Sequence, residues 1–411
     1  MEVRPGYKQT EVGVLPEEWE VSTVGREFEI KLGKMLDAEK NVGVPKPYIG
    51  NKAVQWDRID ISDLPTVPMS RADIERFRLR NGDLLACEGG EVGRAAIWNA
   101  PIEECYYQKA LHRLRPLRGF DSRLMVALLR QWSERGLLVN YVTQTSIAHL
   151  PREKFLEVPM PVPPLLEQRA IAAVLLDVDA LLAKLDQLIV KKRDLKHAAM
   201  QQLLTGLTRL PGFGGLWEVK RLDGLANIRS GGTPSTTQPE FWNGDVLWCT
   251  PTDITALAGF KYLVDTSRTI TTSGLQSSSA ELVPAGSILM TSRATIGECA
   301  INAVPVATNQ GFKNFVPYPS TDGEFLYYLL QTKKQDFISL CSGSTFLEIG
   351  KTQLVRFEVK IPREKTEQTA IATVLSDMDT ELVALEARRD KTRALKQGMM
   401  QELLTGRIRL A

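Results

Sequence analysis

From Glu167 to Leu210 the apolar positions recur every three and a half residues. With Ile171 as heptad position a, the a series is Ile171, Val178, Leu185, Lys192 and Ala199, and the d series is Val174, Leu181, Leu188 and Leu195. An apolar seam broken only by Lys192 predicts one long helix. The stretch is written again 200 positions later, Glu367 to Leu410, without a gap and with about half the positions identical, which marks a duplicated unit. The second copy keeps Ile371, Met378, Leu385 and Met399 at a and Val374 and Leu395 at d. It places Glu381 and Arg388 at d, with Leu375 and Leu382 one step along. That drift favours a packed helix pair over an ideal two-stranded coil. The expected seam is Ile171, Val174, Val178, Leu185 and Leu195 with Ile371, Val374, Met378, Leu385 and Leu395. Proline is absent from both stretches, and each closes with Leu-Leu-Thr-Gly (Gly206, Gly406), a glycine where a left-handed C-cap ends a helix. Roughly 35 residues at about 1.5 Å each make rods of about 50 Å. A spacer or stalk fits two matched rods better than ordinary helical core, and their spacing in the chain permits them to pair with each other.

The remaining sequence reads as two blocks of short strands and turns, so the divisions expected are a block over 1–162, a helix over 163–210, a block over 211–361 and a helix over 362–411. Runs such as Asp83 to Cys87, Arg94 to Trp98, Ser287 to Met290 and Cys299 to Ala303 are short, apolar and bounded by Gly, Pro or Asn. Each block adds one helical stretch, Ser122 to Arg135 and Gly323 to Phe337. A polar turn follows (Thr143 to His149; Cys341 to Glu348), then a strand-like run, Phe155 to Pro161 and Phe357 to Ile361. The fold class is α+β. Landmarks repeat between blocks: Leu-Pro…Trp-Glu-Val opens both, Asn81 to Leu85 parallels Ala285 to Leu289, Val92 to Ile97 parallels Ile296 to Ile301, and Gln108 parallels Gln310. Between the landmarks the blocks share almost nothing. A repeated frame with different filling points to two modules doing one job on different targets.

Composition narrows the classes. At 411 residues and 43% apolar, two or three soluble domains are expected. No apolar run is long enough to span a bilayer and the first residues lack a secretion core, so a cytoplasmic location is expected. Five scattered cysteines without a CxxC pair fit reduced thiols. Net charge is +2, and the blocks are balanced, with 23 basic and 23 acidic residues over 1–160 and 12 against 13 over 211–360. Any DNA contact must therefore come from local arrangement or from a partner. Catalytic patterns are missing: three dispersed histidines, no HExxH, no phosphate-binding GxxxxGK[ST], no dinucleotide fingerprint. Asp83 with Glu88 could be drawn as a metal pair, but the second block has Ser287 and Ser292 there. No catalytic, cofactor or metal residue is assigned. The polar turns carry what chemistry remains. Amides and hydroxyls crowded at Ser230-Gly231-Gly232-Thr233-Pro234-Ser235 suit phosphate oxygens, and Arg, Asn and Gln suit base edges. Candidate DNA contacts are Arg229, Ser230, Thr233, Ser235, Arg293, Asn309, Gln310 and Lys313, with Arg94, Gln108 and Lys109 in the first block.

Taken together, Ser230 to Ser235 followed by Pro239-Glu240-Phe241-Trp242, the Pro-rich lead-in to Glu167-Gln168 and Glu367-Gln368, and Leu-Leu-Thr-Gly at each helix end resemble the specificity (S) subunits of type I restriction–modification systems, across the whole chain. The resemblance implies two target recognition domains related by a pseudo-two-fold, each reading half of a bipartite double-stranded DNA site. It implies long helices paired antiparallel as a coiled-coil ruler, and a chain that catalyses nothing. Two modification subunits would dock and methylate adenine with S-adenosylmethionine bound to them, and restriction subunits would complete the nuclease. The first block departs from the pattern, with Ile30-Lys31-Leu32-Gly33-Lys34-Met35 where the second has Ile228-Arg229-Ser230-Gly231-Gly232-Thr233. The competing readings are a coiled-coil scaffold with two β-rich binding modules and no DNA, and a self-contained DNA-cutting or methylating enzyme.

Overall fold

The computed structural model describes residues 4–37, 39–144, 148–341 and 347–410; parts of both polar turns, 145–147 and 342–346, lie outside them. The chain divides into two compact units, 1–186 with 388–411, and 187–387. Each of the two long helices, Leu165–Leu203 and Lys365–Leu403, is 39 residues long, about 58 Å at the α-helical rise. Each is shared between the units.

The first unit is built on a four-stranded antiparallel sheet. Its order is Ala95–Trp98, Asp83–Cys87, Leu111–Pro116, Phe28–Leu32. Asp83–Cys87 is buried at every position, an apolar run covered on both faces. One face packs with the helix Ser122–Glu134 (Leu124, Met125, Leu128, Leu129) and the helix ends around Ile171, Leu175, Met400 and Leu403. The other face meets a smaller three-stranded sheet through Ile49, Val67, Tyr106 and Tyr107. The second unit repeats the plan. Ala226–Ser230, Phe312–Pro317, Ile288–Thr291, Cys299–Asn302 and Tyr262–Leu263 form five strands, covered by Gly323–Thr332 and by Met200, Leu203, Ile371 and Leu375 of the long helices. In both units the strand that carries the Trp-Glu-Val landmark pairs antiparallel with the strand that closes the block, Glu20–Thr23 with Pro159–Val162 and Trp217–Arg221 with Glu358–Pro362; in the first unit a hairpin, Tyr7–Thr10 with Gly13–Pro16, precedes it. The run expected as a strand from Phe155 begins instead in a short helix, Arg152–Glu157, before the strand Pro159–Val162, whereas the run expected from Phe357 is the strand Glu358–Pro362, preceded by the helix Lys351–Arg356.

The long helices run antiparallel within each unit. Lys396 meets Asp179 at 2.6 Å and Arg389 meets Asp186 at 3.8 Å in the first; Lys192 meets Glu381 at 2.7 Å and Lys196 meets Asp379 in the second. As one number rises the partner's falls. The buried seam differs from the one expected. Ile171, Leu175, Leu185, Ile189, Met200 and Leu203 are buried, and so are Ile371, Leu375, Leu382, Met400 and Leu403, with Val178, Met378 and Leu385 half-buried. Apart from Met200 and Met400, which stand at b, the covered positions are a and e of the heptad rather than a and d. Leu195 and Leu395, expected at the seam, are exposed, as are Leu181 and Leu188. Val174 and Val374 are half-buried against the blocks' cores. Gly206 and Gly406 stand at φ of 73° and 66°, the left-handed C-caps expected.

Candidate nucleic-acid interface

In the second unit the strand Ala226–Ser230 runs opposite Phe312–Pro317 and empties into the Gly-Gly-Thr-Pro loop. Here glycine is required by space. A Cβ on Gly231 would overlap the Asn309 carbonyl and the Thr308 hydroxyl, and one on Gly232 would overlap the backbone at Ser279 and Ala280. The loop is then held by two indoles: Trp248 Nε1 donates to the Gly232 carbonyl at 3.0 Å and Trp242 Nε1 donates to the Ser235 carbonyl at 3.1 Å. The rings meet edge-on, 5.0 Å between centroids, and the Arg268 guanidinium lies 3.9 Å from the centre of the Trp242 ring. Outside this clamp Ser235, Thr236, Thr237 and Gln310 are exposed and Thr233 half-exposed, with the Thr233 hydroxyl donating to Gln310. Asn309 is half-buried and uses its Oδ1 to accept from Gly311 N–H at 2.8 Å, leaving its amide nitrogen for a ligand. Arg229 lies 3.8 Å from Glu281, a loose pair, and Arg293 is exposed and paired with Glu348 at 2.9 Å. Ser230, Thr233, Ser235, Asn309 and Gln310 thus fall on one loop cluster. Arg293 lies on the neighbouring 291–297 turn, where its backbone bridges to Glu348.

Lys313 is a correction. It is buried in an inner strand, with its ammonium 3.4 Å from Ser292 Oγ and 3.7 Å from Glu348. Burial pulls its pKa down and Glu348 pulls it back up. It supports the turn from behind and presents no charge to a phosphate. Sequence reasoning took its polarity for exposure.

The first unit needs two corrections. Arg94 is spent inside the protein: its Nη2 donates to the carbonyl and side chain of Asn51 at 3.1 and 3.2 Å and its Nη1 pairs with Glu91 at 3.2 Å. It pins one loop to another. The second concerns register. Lys34 N–H donates to Tyr107 O as Gly232 N–H does to Thr308 O, and Gln108 N–H donates to Ile49 O as Asn309 N–H does to Cys249 O. Gln108 therefore matches Asn309, and the exposed Lys109 matches Gln310, one step from the pairing expected. Gly33 matches Gly231 and is packed just as closely, on the carbonyls of Tyr107 and Gln108. The next residue, Lys34, where the second unit has Gly232, pairs with Asp73 at 2.9 Å. In the first unit the buried Glu88 pairs with His149 at 3.0 Å. Burial raises the Glu88 pKa against the attraction of His149 and Lys109. The anchor Trp242, Trp248 and Arg268 was missed by sequence reasoning; the two tryptophans six residues apart after a Gly-Gly-Thr-Pro loop were its only signal.

Asp83 is committed to Arg115, 2.5 Å away, and among the described residues no three His, Cys, Asp or Glu side chains gather as a metal site. No described helix is long and apolar enough to cross a membrane. Two blocks with one frame and differently furnished loops define a two-headed recognition protein. The chain belongs to the family of the type I restriction modification DNA specificity domain, whose profile matches twice, at 16–191 and 215–393. It is 40% identical over 167 residues to the MjaIX specificity subunit of Methanocaldococcus jannaschii, covering 40% of this chain and 38% of that one. To the putative MjaX specificity subunit of the same organism it is 24% identical over 98% of this chain and 97% of the other. Its fold is similar to the S subunit of M. genitalium (TM-score 0.58, 16% identity, 98% of each chain). It is similar too to a chain in a study of assembly and conformational transition of the type I R-M system (TM-score 0.61, 17% identity, 96% of this chain and 99% of that). The match to the first of these relatives spans under half of that protein's length.

Proposed function

We propose that this chain is the sequence-reading subunit of a type I restriction–modification complex and catalyses nothing itself. The observation that carries the reading is the doubled specificity domain with a common frame and unlike loops. One protein that must read two different half-sites needs that combination. The second unit reads its half-site with the loop Ser230 to Ser235, Asn309, Gln310 and Arg293, and Arg229 steers the backbone. The first reads with Gln108 and the exposed Lys109. A bipartite reader needs its modules about one DNA turn apart, roughly 34–36 Å, and the long helices are the ruler. Modification subunits supply S-adenosylmethionine and transfer its methyl group to adenine, two of them for two half-sites, and restriction subunits join where cutting occurs. The complex works in the cytoplasm. The test is to co-purify the chain with its modification subunit and map methylated adenines genome-wide. A single split motif with a fixed gap is the expected result; an unsplit motif or no association with a methyltransferase refutes the reading.

A further inference from the structure

Each long helix opens with Glu-Gln, and each of these glutamates is buried, Glu167 4% exposed and Glu367 2%. In the first unit Arg409 grips Glu167 with two hydrogen bonds of 2.7 and 2.9 Å, Trp19 Nε1 donates to it at 2.9 Å, and the Leu410 amide donates at 3.3 Å. In the second unit Arg209 grips Glu367 at 2.6 and 2.7 Å and Trp217 Nε1 donates at 3.3 Å. The glutamine beside each takes the cap of the block's helix. Gln168 accepts from Asp121 N–H at 2.9 Å and donates to Pro163 O at 2.8 Å; Gln368 accepts from Asp322 N–H at 3.0 Å and donates to Pro362 O at 3.1 Å. One Glu-Gln pair therefore ties together the start of its helix, the tail that follows the other long helix, the opening strand of the block and the block's own helix. The arginine forks are planar and bidentate, so they fix direction as well as distance.

We infer that Glu167 and Glu367 are positioning residues for the length of the unread gap: each holds its block at one angle on its own stretch of helix. This rests on the bipartite reading above. Lengthening the gap by one base pair turns a half-site by about 35° and shifts it by about 3.4 Å, and a block locked at one angle cannot follow. A block released from its lock can.

The experiment measures methylation by the reconstituted complex on targets whose gap is correct or one base pair longer. In Glu167→Gln the buried carboxylate loses its charge but keeps its shape, and in Arg409→Lys the fork becomes a point charge on a half-exposed side chain, so that the second variant folds if the first does not. In both, and in Glu367→Gln, the preference for the correct gap falls by about fivefold or more while the bases required in the half-sites stay the same. A role in stability alone lowers methylation of both targets by the same factor. An unchanged preference in the folded variants, whatever happens to total activity, overturns the inference. If the unaltered complex shows no gap preference at all, it is the bipartite reading that falls instead.

Discussion

Trp248→Phe is the sharpest single test of how the second unit presents its loop. Trp248 is 3% exposed and its indole N–H is the donor to the Gly232 carbonyl, which is itself buried. Phenylalanine keeps an aromatic ring against Trp242 and removes only the donor and part of the volume. A buried carbonyl left without its partner costs about 1–3 kcal/mol, and the thinner edge-on contact with Trp242 adds about 1 kcal/mol. In a unit of this size each kcal/mol lowers the melting temperature by about 2–4 °C. The loop, freed at Gly232 but still held at Ser235 by Trp242, should lose its fixed placement beside Gln310. The assay is methylation of a target library with one half-site randomised at a time. Discrimination at the half-site read by the second unit should fall by about tenfold, the equivalent of 1.4 kcal/mol, while the other half-site is read as before. An equal fall at both half-sites would show that the loop serves stability only, and no fall would show that it does not touch DNA.

Leu185→Ala, at a buried seam position, should lower stability by about 2–4 kcal/mol, whereas Leu188→Ala, at the exposed position expected by the a/d pattern, should cost about 0.5 kcal/mol or less; thermal unfolding compares the two directly. Arg293→Ala or Gln310→Ala should weaken reading of one half-site only, by about 1–3 kcal/mol per lost base contact, measured on the same libraries; unaltered reading at both removes the residue from the interface. His112 is fully buried, its Nε2–H donates to Leu150 O at 2.9 Å, and burial pushes its pKa down to about 4 from an ordinary 6.5. Its folded pKa is depressed, so the stability it contributes is complete above pH 6.5 and is lost as the pH falls toward 4, by about 3 kcal/mol in all. Residue-resolved hydrogen exchange should show the first unit's sheet opening with acid across that window, and His112→Leu should flatten the dependence; an unchanged slope would refute the assignment.

The parts of the fold legible in the sequence are those set by local rules. The duplication, the helix caps at Gly206 and Gly406 and the α+β blocks follow from spacing and glycine alone. Lys313 and Arg94 were misjudged because a charged side chain says nothing about whether its partner is water or another part of the protein, and the partners Glu348 and Asn51 lie 35 and 43 positions away. The Glu88–His149 pair is likewise a distant pairing, and the stack of Trp242 on Trp248 is completed by Arg268 from 20 positions beyond Trp248.

The seam is the most instructive miss. Read as a two-helix problem, the first copy's leucines at 181, 188 and 195 make an unbroken d column, and only the second copy, with Glu381 and Arg388 in that column, argues against it. The structure follows the second copy. Positions a and e pair the helices, so Glu381, at d, stays exposed and reaches Lys192, whereas a d-centred interface would have buried its carboxylate. A duplicated chain whose two copies must pack in the same way is constrained by its less permissive copy. The register was therefore decided by the two positions where the repeat is polar, and the apolar positions of the other copy, being compatible with either seam, carried no information about it.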